Sequence, residues 1–178
     1  MINVFYGCAR RHRPFHYNVN VITNDIDKKC YSNLTGDIRD ILKRDFWIKR
    51  FDAYIFTPPC NYYSRANWRR ETSPVAQETK DLLPLCLDFA VNSGHWFLVE
   101  NVLNKTMFKD LYPQYQFTFG GHTFWSNVLS KKDVLGLTAP KQNKQYVSRN
   151  MRDGNYAVDL VINMFLQEIS DMEINSLC

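Results

Sequence analysis

Nothing in this sequence reaches about 18 consecutive apolar residues, the length a membrane-spanning helix needs, so no membrane association is expected. Cysteine is sparse and forms no pattern. Cys8, Cys30, Cys60, Cys86 and Cys178 make an odd set of five with no CxxC pair and no zinc-ligand spacing. That argues against a disulfide framework and against a structural metal centre. No secretory leader pattern opens the chain, so reduced thiols in a cytoplasmic protein are the expectation. Repeats, low-complexity tracts and internal composition shifts are missing too, and a single domain over residues 1–178 is the natural reading.

What the chain does have is apolar and aromatic bulk. Hydrophobic residues make up 45% and charged residues 22%, enough for a packed core in a chain of 178 residues. Aromatic residues reach 15%, a supply that serves a core or base stacking equally well. A net charge of +4 and a sequence pI near 8.8 suit an anionic partner without requiring one. The basic residues are clustered: Arg10, Arg11, His12 and Arg13 stand early, and Arg65, Arg69 and Arg70 stand together later.

That later cluster belongs to the most informative stretch, residues 51–70. An apolar run over 53–56 predicts a buried strand, and Thr57-Pro58-Pro59 stops it, because proline cannot donate to a ladder and restricts its neighbour. Cys60 follows at once, where the carboxyl end of a strand meets a loop and where open α/β sheets bind ligands. Two tyrosines, Ser64, Trp68 and the three arginines come next, a mixture of rings and cations suited to bases and phosphates. The plainer alternative is a Pro-Pro turn beside a cysteine that only packs.

Taken in order, the chain alternates strands and helices. Residues 2–5 predict a first strand running into the turn Tyr6-Gly7-Cys8-Ala9, and 18–23 predict a second that leads into Asp25. An acid at the tip of a second strand, about 20 residues after a glycine turn, suits ribose hydroxyls, and equally a helix cap or turn. Gly36-Asp37 reads as the end of a third strand, with helical spacing over 38–49. Ser73-Pro74 predicts a helix start that continues through Ala90 with a kink at Pro84. Residues 96–99 predict a fifth strand closed by Glu100-Asn101-Val102, with Glu100 equally able to cap a following helix. A hairpin is expected with strands over 115–119 and 125–129 and Gly120-Gly121-His122 between them. Residues 130–149 read as loop, residues 156–169 as an amphipathic helix, and the tail after Ser170 as frayed.

The glycine turn, the acidic strand tip, Gly-Asp, Pro-Pro-Cys and Glu-Asn-Val, in that order over nearly the whole chain, resemble the cytosine-C5 methyltransferases. The match is closest to minimal, phage-type members of that family, for which the cytoplasm is the host's. The resemblance implies an α/β fold, the Rossmann-like three-layer sandwich of the class I S-adenosylmethionine-dependent methyltransferases. It implies S-adenosyl-L-methionine as cofactor, held by Phe5, Gly7, Asp25, Asp37, Ile38, Pro58 and Asn155. Cys60 is expected as the nucleophile on cytosine C6, with Glu100 and Asn101 beside it, and Ser64, Arg65, Arg69 and Arg70 as contacts to DNA, double- or single-stranded. A thiolate suits this chemistry because its attack on C6 moves electron density to C5, provided its pKa is lowered by cations or a helix start. A carboxyl group held protonated in a closed pocket, the role implied for Glu100, can donate to ring N3. Base flipping follows for a duplex substrate.

The departures are specific. Ala9 stands where the family has a second glycine. The family's Gln-x-Arg-x-Arg stretch is not evident, and Gly121-His122-Thr123-Phe124-Trp125 lies at about its place. The target-recognition domain is missing or reduced to 130–149, which leaves room for a recognition partner subunit. Two alternatives therefore stay open: the same chemistry on RNA or a free cytosine nucleotide, and a protein that binds the cofactor or nucleic acid without turnover.

Overall fold

The computed structural model describes residues 1–10, 14–44, 48–137 and 156–176. Seven strands form one sheet: β1 (Ile2–Gly7), β2 (Val19–Asp25), β3 (Leu34–Thr35), β4 (Ala53–Phe56), β5 (Trp96–Val102), β6 (Gln116–Phe119) and β7 (His122–Ser126), in the order β3-β2-β1-β4-β5-β7-β6. The first five run parallel, and β7 is antiparallel to both β5 and β6. Strand order reverses between β1 and β4, so the crevice for a ligand lies outside the carboxyl ends of these two strands. Gly7 closes one of them and Thr57 follows the other.

Alternation along the strands supplies two apolar faces. Phe5, Tyr54, Phe56, Phe97 and Val99 pack with α1 (Ile38–Leu42) and α3 (Leu82–Asn92) on one side. On the other side Val4, Tyr6, Ile55, Leu98 and Phe124 pack with α5 (Tyr156–Ser176). The four residues of β4 are all buried, as a central parallel strand must be. Val158, Val161, Ile162, Phe165, Leu166 and Ile169 of α5 are buried at helical spacing, and each such side chain contributes about 1.5–3 kcal/mol on leaving water. The architecture is the Rossmann-like three-layer α/β sandwich that the motifs led us to expect.

Several boundaries differ from the sequence expectation. The helix expected over 73–90 is two helices, α2 (Pro74–Thr79) and α3, which break at Lys80 and Asp81 rather than at Pro84. Pro84 then falls in the first turn of α3, where its missing N–H has no intrahelical partner to lose. Ser73 caps α2 through Ala76 N as expected. Glu100 and Asn101 lie inside β5 rather than after it, because β7 pairs with Leu98 through Val102 and carries the ladder onward. The short helix α4 (Lys105–Phe108) is capped by Asn104, not by Glu100. His122 opens β7 and is not a turn residue; Gly120 and Gly121, at φ 56° and 83°, make the two-residue turn alone. Residues after Ser170 continue α5 to Ser176, and Glu173 within that extension pairs with the amino terminus at 3.5 Å. Regular helix in α1 ends at Leu42, well short of Lys49.

Candidate active site

Four loops or strand ends meet at the carboxyl edge: the turn after β1, the tip of β2, the 57–64 loop and the end of β5. Thr57 joins the first and third. Its amide donates to Gly7 O at 3.2 Å and its hydroxyl to Cys8 O at 2.8 Å. Gly7 has to be glycine here, since a Cβ would stand 2.7 Å from Phe56 Cδ1 and 2.8 Å from Ile38 Cδ1.

The loop carrying Cys60 is held from below. Asn101, buried in β5, donates through Nδ2 to Pro58 O at 3.0 Å. Asn104 donates to Tyr63 O at 2.8 Å, and the Tyr63 hydroxyl donates to Lys80 O at 2.6 Å. Ser64 N donates to Cys60 O at 2.8 Å, closing a turn around the cysteine. Asn101 is therefore a positioning residue; its amide is committed to the loop.

Cys60 itself is half-buried. Burial pushes its thiol up, the positive charge of Arg10 pulls the other way, and the Glu100 carboxylate adds to the rise. The sequence led us to expect a lowered thiol; here burial is the larger effect. Glu100 Oε1 is 2.6 Å from His122 Nδ1 across the β5–β7 ladder. Both side chains are largely shielded, at 12% and 18% exposure, which strengthens a charge-assisted bond. Tyr6 lies buried nearby, its hydroxyl 3.3 Å from Thr57 Oγ1, and burial keeps it neutral. His122 is absent from the expected site residues because the sequence places it in the hairpin turn; the structure puts it at the start of β7, against Glu100.

The residues expected to meet the cofactor are arranged along β1 to β3. Asp25 is buried at 7% exposure and accepts from Arg10 N at 2.8 Å through Oδ2 and from Asp27 N at 2.9 Å through Oδ1. A carboxylate has about four lone-pair sites, so two remain for hydroxyl donors. Ile26 beside it is 66% exposed, an apolar surface for a ring. Asp37 caps α1 through Arg39 N at 2.8 Å and pairs with Arg39 Nη1 at 3.0 Å. Arg39 also clamps Asp81 and donates to Glu78 O, and its charge holds the Asp81 carboxyl low. A cavity of about 380 Å³ opens beside Asp37, lined by Leu34, Gly36, Asp37, Asp40, Ile41 and Arg44; it reaches neither Cys60 nor Glu100. Phe5 and Ile38 are packed into the core, so any contact from them is by shape alone. Asn155 lies outside the described residues. The remaining acceptor sites of Asp25 fit the hydroxyls of a ribose-bearing cofactor, with an apolar flank.

Of the residues expected to touch nucleic acid, Arg65 and Arg69 are exposed, and Arg69 lies over the ring of Trp68 at 4.3 Å. Trp68 is itself 77% exposed. Arg70 is turned inward and donates to Ser64 O and Asn67 O, both at 3.3 Å, so it braces the loop. Among the described residues, no group of three His, Cys, Asp or Glu side chains is placed to hold a metal ion, and no helix is long and apolar enough to cross a membrane.

No protein-family model matches the chain, and no curated protein matches it. Among the solved structures, it is similar to that of the Entamoeba histolytica methyltransferase EhMeth. The identity is 17% over 65% of this chain, with a TM-score of 0.41. The chain spans 45% of the length of that protein. The strand order and the cluster at the sheet edge, rather than this likeness, support the reading that follows.

Proposed function

We propose that this protein transfers a methyl group from S-adenosylmethionine to C5 of cytosine in DNA, with Cys60 as a covalent nucleophile. The observation that carries the reading is that the turn after β1, the loop bearing Cys60 and the end of β5 bearing Glu100, paired to His122, converge at the carboxyl edge of a sheet with this strand order. Asp25 is the residue best suited to hold the ribose of the cofactor, which when bound supplies an electrophilic methyl group.

The chain's own residues account for the rest. Cys60 Sγ, as thiolate, forms a bond to C6 of the cytosine, and the electron pair of the C5–C6 double bond moves toward C5 and N3. With the base in place, the Glu100 oxygen that does not face His122 is the one that brings a proton to N3 and quenches that charge. His122 Nδ1 bonds Oε1 and fixes which oxygen is free. C5 then accepts the methyl group, loses its proton to solvent or a water-borne base, and the C6–S bond breaks to release Cys60. Asn101 and Asn104 hold the loop so that the sulfur faces the base; preorganisation of this kind lowers the barrier by positioning. Arg65 and Arg69, the latter over the exposed Trp68 ring, suit a backbone and an unstacked base.

The test is methyl transfer from labelled cofactor to duplex DNA, single-stranded DNA, transfer RNA and dCMP in parallel. Incorporation into DNA at C5, absent in Cys60→Ser, supports the reading. Incorporation into RNA or dCMP alone moves the substrate class, and cofactor binding with no transfer to any of the four contradicts it.

A further inference from the structure

We infer that Arg39 is a positioning residue that ties the Asp37 side of the cofactor site to the loop carrying Cys60, through the break between α2 and α3; this rests on the reading of Asp37 as a cofactor contact and Cys60 as the nucleophile. Arg39 lies in α1, and its Nη1 donates to Asp37 Oδ2 at 3.0 Å. Its Nε and Nη2 take both oxygens of Asp81, at 3.0 and 2.7 Å, and Nη2 also donates to Glu78 O. Glu78 is in the last turn of α2, where carbonyls have no partner within their own helix. Asp81 is the N-cap residue of α3, yet its side chain makes no cap bond. Its carboxylate is given to the guanidinium fork instead, a planar bidentate pairing that fixes both partners in direction. An isolated surface ion pair would fix little; this one joins α1 to the end of one helix and the start of the next.

The same break is held from the other side. The Tyr63 hydroxyl donates to Lys80 O at 2.6 Å. Pro84 leaves that carbonyl free for it: a helical bond to Lys80 O would come from the amide four residues on, and proline has no N–H. The Tyr63 ring packs on Phe108, with centroids 5.2 Å apart, and its carbonyl accepts from Asn104 Nδ2 at 2.8 Å. The next amide, Ser64 N, closes the turn onto Cys60 O at 2.8 Å. Gln77 of α2 adds a second tie, donating through Nε2 to Arg70 O at 2.9 Å. Residues 78–81 are therefore a joint, with Asp37 on one side and the Cys60 turn on the other. Asp37 borders the cavity of about 380 Å³. Its Oδ1 caps α1 through Arg39 N at 2.8 Å, while Oδ2 takes Nη1 and keeps a lone pair for a ligand. A ligand donor on Oδ2 shares that oxygen with Nη1, so the guanidinium settles further on Asp81 and Glu78 O and the joint tightens.

The experiment is hydrogen–deuterium exchange of the full-length protein with and without saturating S-adenosylhomocysteine, the demethylated cofactor, read in the peptides covering 60–64. In the wild type the ligand should slow exchange there about fivefold, the low end of coupling between two sites. In Arg39→Met, with the ligand shown by calorimetry to be bound at saturation, that slowing should be lost. Tyr63→Phe keeps a packed ring, cuts the other end of the joint and should lose it too. Each variant is its own reference: a general loss of stability speeds exchange with and without ligand alike and leaves the ratio in place. Slowing that survives either substitution, as direct contact with the ligand would give, overturns the inference. A wild-type loop that does not respond to bound ligand overturns it too, and a wild type that binds no ligand removes the cofactor site and the inference together. A linked loop with no methyl transfer on any substrate removes the C5 reading and leaves the joint in place. Methyl transfer with an unlinked loop does the reverse.

Discussion

At the scale of single residues, the account turns on which side chains touch and which only support. Cys60→Ser should abolish product while leaving cofactor affinity nearly unchanged, checked by calorimetry beside the transfer assay. His122→Ala should lower kcat about 10- to 100-fold with little change in KM, the size expected for one hydrogen bond to a charged partner. His122→Gln, which keeps a donor, should recover part of it. Equal losses in kcat and stability would make His122 merely structural. Cys60 and Glu100 were legible in the sequence because each comes after an apolar run, which puts Cys60 just past β4 and Glu100 in the carboxyl-end half of β5, at the same sheet edge. His122 was not. Its partner Glu100 lies 22 residues away in sequence, and only the β5–β7 pairing brings them together.

At the scale of elements, the loop after β4 is the working part, and its supports are buried amides. Asn101→Ala strips the Pro58 carbonyl of its donor and should destabilise the fold by about 1–3 kcal/mol, the cost of an unsatisfied buried acceptor, read from denaturant midpoints. Activity should fall further than stability alone explains, since the sulfur loses its aim. The arginines after the loop divide. Reversing Arg65 and Arg69 together should reduce the salt slope of DNA binding by about two, close to one released counterion each. Arg70→Glu should instead lower thermal stability, because it breaks the brace to Ser64 and Asn67. Identical slopes for the double reversal and the wild type would remove Arg65 and Arg69 from the interface. Element types were readable from periodicity and capping, as at Ser73-Pro74. Boundaries were not: β7 lengthened β5 past Val99, and the partnership of α2 and α3 with α1 decided where they separate.

At the scale of the whole molecule, the sheet order follows from the order of motifs, which is why the fold was legible. The α/β alternation gave five parallel strands and the glycine pair gave the final antiparallel hairpin. What was not legible is that α5 alone, among the described helices, covers one face, because nothing in its spacing says which layer it joins. Two tyrosines tie this packing to pH. Burial pushes the Tyr54 and Tyr63 hydroxyls up to about 12, from an ordinary value near 10. Raised acids of this kind keep their full contribution below pH 10, and it is lost as pH climbs toward 12, since the unfolded chain ionises first. Denaturant midpoints should therefore be level from pH 8 to 10 and fall above it. Tyrosinate absorbance from these two rings should rise together with unfolding. Absorbance that rises fully at pH 10 with the fold intact would contradict the packing described for them.

The measurement that tests the central claim most directly uses DNA containing 5-fluorocytosine, which cannot shed its C5 substituent after methylation. Incubated with the protein and S-adenosylmethionine, it should leave a stable protein–DNA adduct. Peptide mass spectrometry should place that adduct on Cys60, and Cys60→Ser should not form it. Methyl transfer to ordinary cytosine without any adduct, or an adduct on another cysteine, would contradict covalent catalysis by Cys60.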